Sequence, residues 1–96
     1  MFEEASAPRL QSYLVEHYRP GLSATELEQA ARRVHDAIGE LERTGERVRF
    51  RHATIVVADE SFLCVVEAAS EELVQTAYAR ANVTCERISA AVTEPR

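Results

Sequence analysis

The chain has 96 residues and a mass of 10.7 kDa, with 46% apolar and 28% charged side chains, the balance of one folded domain. A chain of this size buries a little over ~60% of its unfolded surface, enough for one modest core and no second domain within these residues. Eleven arginines, no lysine and sixteen carboxylates give a net charge of −5, which argues against a nucleic-acid binder, since that needs a clustered positive field.

In chain order, residues 1–10 (MFEEASAPRL) carry an acidic pair and a proline where a signal peptide would be basic and then apolar. They read as a flexible lead-in, and the cytoplasm is the expected location. The single domain is expected over 11–93. Residues Ser12 to Tyr18 (SYLVEHY), rich in aromatic and branched side chains, predict a strand that Arg19-Pro20-Gly21 breaks. Ser23 and Glu26 then form a capping box, with Leu22 and Leu27 placed to staple across it. Apolar residues at Leu27, Ala30, Ala31, Val34, Ile38 and Leu41 make one helical stripe, which Gly45 ends.

Val48 to Val57 predicts a second strand and Phe62 to Ala68 a third, joined as a hairpin across Ala58 to Ser61. Ser70 caps a second helix that runs to about Ala81, with Glu71 and Glu72 at the positive end of its dipole. Arg87 to Val92 is the last strand, and 94–96 are read as a loose tail. No run approaches the ~18 apolar residues of a membrane span, so no membrane is expected as a partner.

The order is βαββαβ, which predicts an α+β ferredoxin-like sandwich: four antiparallel strands with two helices on one face. Strands two and three are apolar on both faces, as Ile55-Val56-Val57 and Leu63-Cys64-Val65-Val66 show. Two helices cover only one of those faces, so a homodimer closed sheet against sheet, of the dimeric α+β barrel kind, is expected.

A tight turn at Asp59-Glu60 would pair Val57 with Phe62 and set His52 opposite Glu67, on one face with Thr54, Val56, Leu63 and Val65. An imidazole beside a carboxylate suits a divalent ion such as nickel, copper or zinc, and equally an ordinary ion pair at the end of a sheet. Glu16, on the strand expected to border the third, is the candidate third donor. A partner chain or water would have to complete the set.

His17 shares a face with Tyr13 and Val15 and reads as packing or exposure rather than ligation. His35 and Asp36, adjacent on a helix, point about 100° apart and do not share a site. Arg47, Arg49 and Arg51 alternate along an edge strand, a pattern that blunts such an edge against aggregation. Cys64, inside an apolar run, is expected to be buried, and Cys85, in a loop, less so; their spacing matches no zinc motif. The glycines lie in no phosphate-binding loop, no serine sits in a nucleophile elbow, and the third strand lacks the stacking aromatics of RNA-recognition domains.

Several stretches resemble a family of short bacterial proteins long described as a domain of unknown function and called nickel-binding-protein-like. The resemblance is carried by YLVEHYRPGLS, SATELEQAARRVHDAI, HATIVV, FLCVVEA and SEELVQTAYARANVTCERI, together spanning roughly Tyr13 to Val92. It implies a ferredoxin-like fold, a homodimer with facing sheets and, for some members, nickel binding. It also implies that His52, Cys64, Glu67 and Glu16 stand at positions that recur in that family.

The expectation is therefore a small homodimeric protein, not evidently an enzyme, that binds a Ni2+-like ion through His52 and Glu67 with Glu16. The alternatives are a small dimeric α+β-barrel enzyme working in a cleft between sheet and helices, or an interaction module whose sheet binds another protein.

Overall fold

The computed structural model describes residues 9–92. The lead-in expected over 1–10 and the tail over 94–96 lie wholly or mostly outside that range. Within it the chain runs β1 (Gln11–Tyr18), α1 (Ala24–Arg43), β2 (Val48–Val56), a 3-10 turn (Val57–Asp59), β3 (Ser61–Ala68), α2 (Glu71–Ala81) and β4 (Arg87–Ala91). The strands form one antiparallel sheet in the order β2-β3-β1-β4, the ferredoxin-like α+β arrangement.

Both helices start and stop where local chemistry dictates. Ser23 Oγ accepts the Glu26 N–H at 3.2 Å, and the Glu26 carboxylate accepts the Ser23 N–H at 2.9 Å, the reciprocal capping box. At the far end of α1, Gly45 takes φ +96° while Gly45 N bonds Glu42 O and Glu46 N bonds Leu41 O, a Schellman closure. Helix α2 ends the same way on Asn82 (φ 57°), with Val83 N donating to Tyr78 O and Val83 folded into the core.

Leu27, Val34 and Ile38 of α1, with Val74, Ala77 and Tyr78 of α2, press onto one face of the sheet, where Val15, Phe62, Cys64 and Val66 are wholly buried. Strand alternation puts the other half of each strand on the far face. There Leu14, Val56, Leu63 and Val65 are only half-buried, and no helix lies over them.

The β2–β3 hairpin corrects the expected register. The chain turns over four residues, Val57 to Glu60, and Ile55 rather than Val57 pairs with Phe62. A two-residue turn of the favoured hairpin type would force φ > 0 on both Asp59 and Glu60, and its second position strongly prefers Gly where this chain has Glu60. The longer loop asks it of Glu60 alone (φ 52°). Glu60 is then tied down: its N–H bonds Val57 O, its carbonyl takes the Arg19 N–H at 2.7 Å and its carboxylate the Gly21 N–H at 3.2 Å.

Arg51 adds a second irregularity, an extra residue between the Phe50–Val66 and His52–Val65 pairs. This bulge keeps Phe50 on the helix side and His52 on the open side.

Candidate functional site

The open face reads as rows across the sheet. Arg49, Glu67, Ser12 and Ala91 share one row, His52, Val65, Leu14 and Ser89 the next, and Thr54, Leu63, Glu16 and Arg87 a third. His52 therefore stands opposite Val65, not opposite Glu67, because the longer turn slides β2 by two residues. Two residues is a full strand period, so His52 and Glu67 keep a common face as diagonal neighbours. Such positions stand ~7–8 Å apart, within reach of long side chains.

Glu16 lies further off, in the row beyond His52 with β3 between them, roughly 10 Å away across the sheet at ~4.8 Å per strand. Its carboxylate accepts from Arg87 Nε at 2.9 Å. Glu67 is approached by Arg51 Nε at 3.9 Å, the bulge residue turned toward it. Among the described residues no three of His, Cys, Asp and Glu come close enough to hold a metal within one chain. His52 and Glu67 thus stand as diagonal neighbours on one strand pair, and Glu16 stands apart from them across β3, engaged by Arg87.

The covered face holds polar chemistry of a different kind. His17 is 2% exposed and stacks flat on Phe62, with ring centroids 3.9 Å apart. Its Nδ1 lies 2.9 Å from the Phe62 carbonyl and its Nε2 lies 2.9 Å from the Tyr78 hydroxyl. A carbonyl only accepts, so Nδ1 carries the proton and Nε2 accepts from Tyr78 O–H. The buried Cys64 thiol lies beside the Tyr78 hydroxyl.

Burial lowers His17 to about 4, against a partly offsetting bond to Phe62. Burial likewise pushes the Cys64 thiol up to about 11, and raises Tyr78 far above its usual range. All three groups are thus neutral at pH 7, and none is poised for proton transfer. The chain Tyr78–His17–Phe62 satisfies polar atoms inside an apolar core, which favours one packing of α2 on the sheet over slipped alternatives. The sequence left His17 between packing and exposure and did not reveal its partners. The available signal was its parity with Tyr13 and Val15, which points it at the helices.

The remaining charges at this end of the sheet fasten loops. Arg19 donates to the carbonyl and, at 2.9 Å, the hydroxyl of Thr84, and Glu86 accepts the Tyr18 N–H at 2.8 Å. Cys85, between them, is half-buried, and burial raises its thiol as well. His35 and Asp36 are exposed on α1, and the His35 ring leans against Phe50. Arg49 reaches round the sheet edge to within 3.9 Å of Glu42.

A four-stranded antiparallel sheet with both helices on one face and an uncovered, half-apolar far face defines a ferredoxin-like α+β domain. Within that class the chain belongs to the family of nickel responsive proteins like SCO4226, which it matches over residues 13–90. It is similar to the crystal structure of SCO4226 from Streptomyces coelicolor A3(2), with a TM-score of 0.66 and 27% sequence identity over 88% of this chain and 99% of that one. No match was found among curated proteins. No helix among the described residues is long and apolar enough to cross a membrane.

Proposed function

We propose that this protein is a non-enzymatic homodimer that takes up a divalent transition metal of the nickel type. Two copies close sheet face on sheet face, and His52 and Glu67 contribute an imidazole and a carboxylate to the ion. Donors from water and the second copy complete the set; Glu16, too far across β3 to reach the ion within its own chain, would join from the second copy by exchanging Arg87 for the metal. The bound ion would supply a charge-neutralising link within a face that carries both carboxylates and arginines.

The observation that carries the reading is the open face. Leu14, Leu63 and Val65 stand half-exposed at its centre, and Val56 at its edge, without a helix above them. Around them lie Glu16 and Glu67 together with Arg51 and Arg87. A patch holding both signs of charge around an apolar middle is complementary to itself, as a two-fold interface requires. Membership of a family named for its response to nickel points the same way.

Calorimetric titration with Ni2+ and light scattering test the two parts separately. Wild type is expected to take up Ni2+ in roughly stoichiometric amount and to scatter as two copies. His52→Ala is expected to abolish the uptake while the dimer persists, and Val65→Asp to give monomers of unchanged helicity. A wild-type heat no larger than that of His52→Ala would overturn the metal site. A monomer at micromolar concentration would overturn the dimer and favour an interaction module whose sheet binds another protein.

A further inference from the structure

The two helices do not cover the sheet evenly. Helix α1 packs over β2, and α2 packs against α1 and β3, so neither lies along the edge strand β4. Ile88 is only half-buried on the helix side of that strand, and Ala90 beside it is exposed. Between α2 and β4 this leaves a cleft of about 330 Å3, walled by Tyr78, Ala79, Val83, Cys85 and Ile88.

Three further clefts among the described residues are strongly charged: one carries Glu42, Glu46, Arg47 and Arg49, the others Arg43 or Arg80 with Asp36 and Glu40. The cleft beside β4 has no charged side chain in its lining, in a chain of which 28% is charged. Arg19 and Glu86, beside Thr84 and Cys85, face one another at 3.5 Å, and Glu71 is engaged by the Gln75 amide at 3.3 Å.

From this lining we infer that the cleft between α2 and β4 is a binding site for a small, uncharged, largely apolar molecule, aromatic or aliphatic, carrying one hydrogen-bonding group. Its volume lies at the low end of small-molecule pockets, roughly 300–1,000 Å3, so the ligand is of the size of one or two fused rings. The apolar body lies against Ile88, Val83 and Ala79. The polar group meets the part of the lining formed by Gln75, Asn82 and Thr84, of which the Gln75 amide N–H already donates to Glu71 at 3.3 Å. Thr84 Oγ1 already accepts from Arg19 at 2.9 Å, so its own proton is free to donate to the ligand. The site lies on the helix side of the sheet and does not depend on the metal reading.

Amide NMR titration with indole tests the inference, with benzoate as a charged ring of the same size. Indole is expected to shift the amides of Ala79, Val83, Cys85 and Ile88 saturably, with a dissociation constant on the order of 1 mM or tighter. Benzoate is expected to leave them in place. Ala79 is exposed, so Ala79→Trp fills the cleft without disturbing the core, and it is expected to abolish the indole shifts while the rest of the spectrum stays wild type. Three results would overturn the site: no saturable shift, equal binding of benzoate, or indole binding that survives Ala79→Trp. Shifts centred on Leu14, Leu63 and Val65 would assign the binding to the open face and overturn it equally.

Discussion

The two faces of the sheet are built from alternate residues of the same four strands, yet they do opposite things. On the covered face Val15, Phe62, Cys64 and Val66 are wholly buried, and even the polar atoms of His17 and Tyr78 find partners. On the open face Leu14, Leu63 and Val65 are flanked by Glu16, Glu67, Arg51 and Arg87, whose ion pairs face solvent. The covered face holds the chain together; the open face carries half-buried apolar side chains with no helix over them. A substitution is therefore expected to be costly on the first and mild on the second, even between adjacent residues.

The sharpest contrast is Phe62 against Leu63. Phe62→Ala removes a fully buried ring that also carries the stacked His17, and is expected to cost about 3–5 kcal/mol in urea unfolding. Leu63→Ala, measured on monomers at low concentration, is expected to cost less than half as much. Equal losses would abolish the distinction between the faces.

His17 sharpens the comparison through pH. Its folded value of about 4 lies below the ordinary 6.5, so the unfolded chain takes up the proton first. Its contribution is thus complete above pH 6.5 and lost as the pH falls toward 4, by up to about 3 kcal/mol. His17→Phe removes that dependence and is expected to flatten the stability profile between pH 6.5 and 5, where most carboxylates are still charged. At pH 7 the variant is expected to lose about 1–3 kcal/mol, because the Tyr78 hydroxyl is left without its acceptor. A wild-type profile already flat over that interval would refute the buried neutral imidazole.

Smaller effects lie at the surface. Ser23→Ala deletes one half of the capping box and is expected to cost about 1 kcal/mol of thermal or urea stability. Arg87→Gln breaks the pair with Glu16, but the Arg87 side chain is 70% exposed, so less than about 1 kcal/mol is expected. The same substitution frees the Glu16 carboxylate and is expected to strengthen Ni2+ uptake. Weaker uptake in Arg87→Gln would remove Glu16 from the proposed donors.

Much of the fold was legible in the residues themselves. Ser23-Ala24-Thr25-Glu26 announced α1, Gly45 its end, and the apolar stripe between them its buried face, because caps and stripes are decided by neighbours within a turn or two. Even the uncovered sheet face followed from strands two and three being apolar on both sides. The candidate site was legible only in part. Parity put His52 and Glu67 on one face, but their direct pairing depended on the turn, and Asp59-Glu60 does not make the two-residue turn that Asn-Gly would.

Sequence by itself thus determined the element order, the helix ends and, outside the bulged strand β2, the face on which each strand residue lies, since all three rest on local periodicity and capping. Tertiary structure alone decided the hairpin register, the Arg51 bulge, the seating of His17 between Phe62 and Tyr78, and the uncharged cleft beside β4. Those depend on which distant atoms meet when two helices settle unevenly on four strands. The physical reason is range: a cap is completed within four residues, whereas His17 finds Tyr78 sixty-one residues away.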